Sequence, residues 1–259
     1  MQTVMFHSTI FGPIHSRRLG TSLGVNLTPN DGKICSFDCL YCEAGFNAQG
    51  PGTTGMATTE NTLAQLEAKL TDMKSKGEGL DVITFSGNGE PTLHPDFERV
   101  IDGTIALRDR YFPNAKVSVL TNATRIGSDS VFRALEKVDN NILKLDSAVE
   151  ATVQAMDRPN PGYSLQATID RMAQFGKKGI IQTMFARGEH EGLHVDNTTE
   201  AEVDALIEAY RRINPGQIMI YTIDRPSPAV NLHRIPKEEM EAIGARIQAA
   251  TGIPVQVSI

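Results

Sequence analysis

Short apolar runs rich in β-branched residues alternate along this chain with longer stretches of helical period. The short runs predict strands at 24–27, 81–86, 116–121, 141–146, 179–185 and 217–222. Helical spacing between them predicts helices at 58–76, 95–111, 128–138, 164–178 and 199–213. A last helix at 237–251 and a short strand at 255–258 follow. The helix ends carry their own signals. Pro95 suits a first helical position, with Asp96 and Glu98 in the first turn. Thr199 suits a cap before AEVDALIEAYRR, whose arginines fall in the last turn. Strand, helix, strand, repeated, implies right-handed crossovers and a parallel sheet. Six such strands predict an α/β fold of the partial (βα)6 barrel type, with helices outside, rather than a closed eight-stranded barrel. No repeat or low-complexity linker divides the chain, so 1–259 reads as one domain. Residues 1–23 are expected to pack on the barrel or lead into it, and 237–258 to complete it.

Alternation within the strands sorts inward from outward positions. In ILKLD, Leu143 and Leu145 point one way and Lys144 and Asp146 the other. A helix-covered face is apolar, so Lys144 and Asp146 are expected inside. The same argument turns Thr84, Ser86, Ser118, Asn122, Gln182, Met184, Met219 and Tyr221 inward. An interior filled only for packing carries Val, Ile and Leu. Polar residues on several strands suit a ligand cavity instead.

Composition narrows the class. With 22% charged and 40% hydrophobic residues, the chain is an ordinary globular sequence. No apolar run reaches the ~18 residues of a membrane span, and the start lacks a basic leader before a long apolar core. Three clustered thiols suit a reducing compartment, so a cytoplasmic protein is expected. A net charge of −6 argues against a surface built mainly to grip nucleic acid. Nucleic acid stays possible without being favoured, and Ser16-Arg17-Arg18 is the only dense basic spot.

All three cysteines, Cys35, Cys39 and Cys42, lie in CSFDCLYCEAG. Cys39 and Cys42 alone could form a redox CxxC pair, leaving Cys35 unexplained. A structural zinc site needs a fourth ligand, which His15 or His94 would have to supply. A ferredoxin cluster needs four cysteines. The fourth reading is a [4Fe–4S] cluster held on three irons, with the last iron open to a small ligand. An open position is what a catalytic metal needs. A second unusual stretch, FSGNGEPTLHP, follows the predicted strand at 81–86. Both loops therefore fall on the rim where parallel barrels carry their chemistry.

Cys-x3-Cys-x2-Cys with Tyr41 before the last cysteine resembles the radical S-adenosylmethionine (SAM) enzymes. That resemblance implies one [4Fe–4S] cluster on Cys35, Cys39 and Cys42, with SAM filling the open position. Gly87-Asn88-Gly89-Glu90-Pro91 is similar to the glycine-rich element that binds the SAM amino group in that family, with Asn88 where glycine is common. By position, Tyr41, Asn122, Asp146, Ser147 and Gln182 match residues that contact SAM. The implied reaction is one-electron reductive cleavage of SAM to a 5′-deoxyadenosyl radical, which abstracts hydrogen from a substrate. The electron donor implied is a flavodoxin or ferredoxin. GPIHSRRLGTSLGVNL and TFSGNGEPTLHP resemble the group related to wybutosine-synthesis enzymes, which modify a transfer-RNA base. Those enzymes hold a second cluster on further cysteines, and this chain has none. A non-catalytic protein braced by a cluster or zinc is the reading from another class. Lys144, Arg187 and Arg225 are the cations expected near a substrate, and His190 and His194 lie in the polar stretch RGEHEGLHVDN.

Overall fold

The computed structural model describes residues 4–16, 20–225 and 227–259, so Arg17 and Arg18 of the basic spot lie outside the described residues. The strands are β1 (Ile10–Ser16), β2 (Gly20–Val25), β3 (Val82–Phe85), β4 (Lys116–Thr121), β5 (Asn140–Lys144) and β6 (Gly179–Phe185). They continue with β7 (Arg187–His190), β8 (Leu193–Asp196), β9 (Gln217–Thr222), β10 (Leu232–His233) and β11 (Val255–Ser258). The helices are α1 (Thr59–Ser75), α2 (Phe97–Tyr111), α3 (Asp129–Lys137), α4 (Glu150–Met156), α5 (Leu165–Ala173), α6 (Glu200–Ile213) and α7 (Lys237–Thr251). One sheet runs β1-β2-β3-β4-β5-β6-β9-β11. Every neighbouring pair is parallel except β1 with β2. The result is the open α/β barrel expected from the alternating pattern, extended by an antiparallel first strand.

The helices form for local reasons and stay for burial. Thr58 caps α1 by accepting from the Asn61 amide at 3.2 Å, and Thr199 caps α6 by accepting from Glu202 at 3.3 Å. Leu66, Leu70 and Met73 recur on one face of α1 and are fully buried. They pack with Leu23, Ile83 and Phe85 from the outward face of the sheet. Each such side chain contributes roughly 1.5–3 kcal/mol by leaving water. Asn214 ends α6 at φ 50° and Gly252 ends α7 at φ 70°, both in the left-handed turn that stops a helix. Among the described residues no helix is long and apolar enough to cross a membrane.

Besides β1, three elements differ from expectation. Pro95 does not open α2, which begins at Phe97 with Asp96 before it; Pro91 instead opens a single 3-10 turn over Pro91–Leu93. The stretch RGEHEGLHVDN is no loop. It forms the β7–β8 hairpin, turned at Glu191 (φ 51°) and Gly192 (φ 79°), with β10 pairing on β7's other side. Third, α4 and the turn behind it occupy 150–160, where the periodicity is too short to show. This last element sets the site.

Candidate active site

The candidate site lies at the carboxyl ends of the parallel strands. The cysteine loop arrives there after β2 and has almost no regular structure, so its backbone groups must be satisfied from elsewhere. On one side it meets the loop after β3. Ile34 bridges Gly89 in parallel register, and Ile34 O accepts from the Glu90 amide at 3.0 Å. A Cβ on Gly89 would run into that carbonyl oxygen, and one on Gly87 into the Asn26 side chain. Gly89 is required by close approach of the Ile34 backbone, and Gly87 by that of the Asn26 side chain. On the other side the loop meets the end of α4: Leu40 donates to Met156 O at 2.9 Å and Asp38 to Asp157 O at 3.0 Å. Phe37 bridges Pro159, and Ser36 O accepts from Asn160 at 2.9 Å.

Cys35, Cys39 and Cys42 are all free and partly exposed. Burial pushes the Cys35 thiol up to about 12, with the charge of Glu90 adding to it. Burial also raises Cys39 well above the ordinary thiol range, against the pull of Lys144. A soft cation displaces those protons and so couples its binding to proton release. Among the described residues no three His, Cys, Asp or Glu side chains converge on one ion. His94 is committed elsewhere, with Nε2 2.7 Å from Ala57 O and Nδ1 accepting from Asp96 at 3.2 Å. The three thiols thus fit a cluster, where each sulfur takes its own iron, better than a single zinc. Asn122 supports this fit by aiming its Nδ2 at Cys35 Sγ, 3.6 Å away, and at Ser36 Oγ, 3.0 Å away.

Beside the loop opens a cavity of about 340 Å³. Cys42, Gly87 and Gln182 line it, as do the inward-facing Thr84, Ser86 and Met219. Leu120 and Ile142 occupy the same face of β4 and β5. The segment before β2 supplies a wall through Val4, Phe6, Ile14 and His15. Met184 and Tyr221 face inward too, but pack in a second apolar cluster with Leu40, over the cysteine loop.

Several expected SAM contacts do other work. Asn88 is fully buried and ties down the first described segment: it donates to Phe6 O at 2.8 Å and Pro29 O at 2.9 Å, and accepts from Phe6 N at 2.8 Å. Ser147 turns away from the cavity and donates to Glu202 of α6 at 2.6 Å. Asp146 accepts from Tyr41 OH and from Lys144, and takes the Met184 amide at 2.9 Å. Glu90 is 3% exposed, and its carboxylate accepts from Thr92 N (3.0 Å), Thr92 Oγ1 (2.5 Å), Thr121 Oγ1 (2.6 Å) and Asn122 N (2.7 Å). Burial raises its pKa, while these donors oppose the rise. The carboxylate therefore locks the glycine loop to the end of β4. Glu90→Ala is expected to lower the urea midpoint as well as SAM affinity, since one hydrogen bond to a charged group is worth about 1.5–3 kcal/mol. Wild-type unfolding with weakened SAM binding would instead restore Glu90 to direct contact.

The expected substrate cations are all partnered. Lys144 sits between Asp146 and Asp157, 2.6 Å from the latter, with its ammonium on Tyr41 OH. It is not a free charge on the barrel wall, because two buried carboxylates claim it. Burial pushes Asp157 up to about 7, against the pull of Lys144. Arg187 pairs with Glu239 away from the cavity lining. Arg225 does line the cavity, paired with Glu43 at 2.7 Å. His190 stacks loosely on Phe46 in β7, ring centroids 5.5 Å apart, and His194 lies in β8.

Two residues escaped sequence reasoning. Lys33 is 4% exposed and donates to Gly45 O at 2.6 Å. Burial works against its charge, but Cys42, Cys35, Cys39 and Asp38 turn the shift upward. Asp157 holds both the cysteine loop and Lys144. Neither stands in a motif; the one available signal was a lysine two positions before the first cysteine.

Comparison with known proteins agrees with this geometry. The family model described as the Radical SAM superfamily matches residues 30–208. A protein named GTPase Obg from Brachyspira hyodysenteriae is 27% identical over 256 residues, covering 96% of this chain but 35% of its own length. A UPF0026 protein from Methanocaldococcus jannaschii is 29% identical over 89% of this chain and 68% of its own. In fold, the chain is similar to a radical SAM methyltransferase from Sphaerobacter thermophilus, with a TM-score of 0.66 at 16% identity, over 92% of this chain and 65% of that one. The chain thus spans about a third of one of these relatives and about two thirds of the other two.

Proposed function

The chain belongs to the radical SAM superfamily, and from that premise we propose that Cys35, Cys39 and Cys42 hold its cluster and that SAM occupies the adjoining cavity. It is an enzyme, and its cofactors are a [4Fe–4S] cluster and SAM. When bound, these would supply one-electron reductive cleavage of SAM and, through it, hydrogen abstraction from a substrate. The observation that carries the reading is the cavity itself: Cys42 and Gly87 line one space, so a cysteine-held group and a ligand of the glycine loop meet there.

The chain's own residues then have separable tasks. Gly87 and Gly89 let the loop after β3 come close enough for its backbone to face an ammonium. Gln182 offers an amide to the polar part of the ligand. Asn122 steadies Cys35. Val4, Phe6 and Ile14 give the cavity one apolar wall, although Val4 and Ile14 are themselves exposed. Arg225 remains the cation placed to meet substrate, and its partner Glu43 is the group a substrate anion would displace.

Anaerobic reconstitution tests the reading. The expected protein binds about four irons and four sulfides per chain, since three cysteines support one cluster. It changes its visible spectrum on adding SAM and forms 5′-deoxyadenosine with dithionite. About eight irons per chain, or no reductive cleavage by a fully loaded protein, would sink it. Arg225→Ala is expected to keep uncoupled SAM cleavage and lose any stimulation by cell extract. Retention of both, or loss of both, removes Arg225 from substrate binding.

A further inference from the structure

The cysteine loop is wound over one buried ammonium. Lys33 lies two residues before the first cysteine, and its side chain is 1% exposed. Its Nζ donates to the carbonyl of Gly45, three residues past the last cysteine, at 2.6 Å. It also lies 3.5 Å from Asp38 Oδ1, and Asp38 stands between the first two cysteines. Asp38 is itself held from two directions: Oδ1 accepts from Asn47 N at 2.6 Å, and Oδ2 from Arg158 at 2.8 Å. Two cations thus face one carboxylate beneath the loop. Arg158 is 33% exposed, so water screens it. Lys33 is dry, and its field reaches its surroundings at low effective dielectric.

We propose that Lys33 is a positioning and electrostatic residue: its ammonium fixes the two ends of the cysteine loop, and its charge favours the reduced, more negative state of the cluster. The inference rests on the ligand assignment to Cys35, Cys39 and Cys42. A cluster carrying three thiolates is anionic, and one electron from a flavodoxin- or ferredoxin-type donor makes it more so. Net charge around an iron–sulfur group sets its potential, together with hydrogen bonds to sulfur and exposure to solvent. A fixed cation under the loop lowers the cost of accepting that electron. Asp38 acts in the opposite sense, and the balance between the two is the device. A lysine that merely packs would fill the same space without this consequence.

The test separates charge from packing. Lys33→Met keeps the aliphatic stem and removes the charge, while Asp38→Asn removes the opposing charge. Each is reconstituted anaerobically with iron and sulfide, assayed for both, and titrated for its midpoint potential by the reduced cluster's paramagnetic signal, without SAM. The expected result is a more negative midpoint for Lys33→Met and a more positive one for Asp38→Asn, at wild-type iron content. Unchanged midpoints in both, or shifts of the same sign, would overturn the proposal, the latter pointing to water entry. If Lys33→Met cannot hold iron, Asp38→Asn decides alone: a positive shift supports the idea and any other result refutes it. Failure of the ligand assignment is distinguishable, because wild type itself would then carry no cluster.

Discussion

Replacing any one of Cys35, Cys39 and Cys42 with alanine is expected to abolish both cluster content and formation of 5′-deoxyadenosine. The chain has three cysteines, all in this loop, so no spare thiol can step in. His94 cannot substitute, because Nδ1 is engaged by Asp96 before α2 and Nε2 by Ala57 O before α1. Nor can the loop shift to bring an aspartate round, since its backbone is bonded to the glycine loop on one side and to α4 on the other. Loss is therefore expected to be nearly complete rather than graded. Iron analysis after reconstitution checks it, with far-ultraviolet circular dichroism to confirm that the fold persists. An alanine variant that keeps about four irons and cleaves SAM at the wild-type rate would remove that cysteine from the ligand set.

The second large effect belongs to Lys144. Substitution by methionine leaves Asp146 and Asp157 facing each other with side chains 1% and 3% exposed. Breaking a buried ion pair by removing one partner typically costs about 3–5 kcal/mol, a large share of the ~5–15 kcal/mol of a whole domain. Urea unfolding at pH 7 should show this loss. The pH dependence has a definite sign. Asp157 already titrates at about 7 in the folded protein, above the ~3.9 of an unfolded aspartate. A raised folded value means that the unfolded chain ionises first, so stability falls as pH rises from ~4 towards 7. Without the lysine the folded value climbs further, so the variant should go on losing stability above pH 7, where the loss in wild type levels off. A Lys144→Met protein as stable as wild type at pH 7 would show that the carboxylates find another partner.

Legibility in the sequence followed interaction range. β4, β6, β9, α7 and β11 have the bounds that periodicity predicts, because each buries a face set by its own residues. β1 was missed: IFGPIHS contains a glycine and a proline, and its antiparallel pairing with β2 is a tertiary fact. α4 is seven residues long, below what helical spacing can resolve. In the site, the thiols and the glycine loop were visible because their spacing is local. The inward positions of Thr84, Ser86, Gln182 and Met219 were visible by alternation. Of the partners of Lys144, Asp146 was placed beside it by alternation, but Asp157 and Tyr41, the latter 103 residues away along the chain, were not legible. Glu90 was assigned to a ligand because its neighbours suggested an ammonium site. The hydrogen bonds it receives from Thr121 and Asn122, at the end of the next strand, were not legible.

The framing of the cysteine loop also fixes an order of assembly. The thiols and their local contacts, such as Asn47 Nδ2 to Phe37 O at 3.1 Å, lie together in sequence, yet the framing groups from the rest of the fold come much later in the chain. Glu90 arrives first, then Met156 to Asn160, and last Ala229, whose amide donates to Leu40 O at 3.3 Å. A chain emerging from the ribosome therefore carries its thiols as a loose triplet long before it has a socket for iron, and closing contacts so distant in sequence is slow. Cluster insertion is accordingly late in the folding of this domain, and a fragment ending before residue 150 should take up no stable cluster.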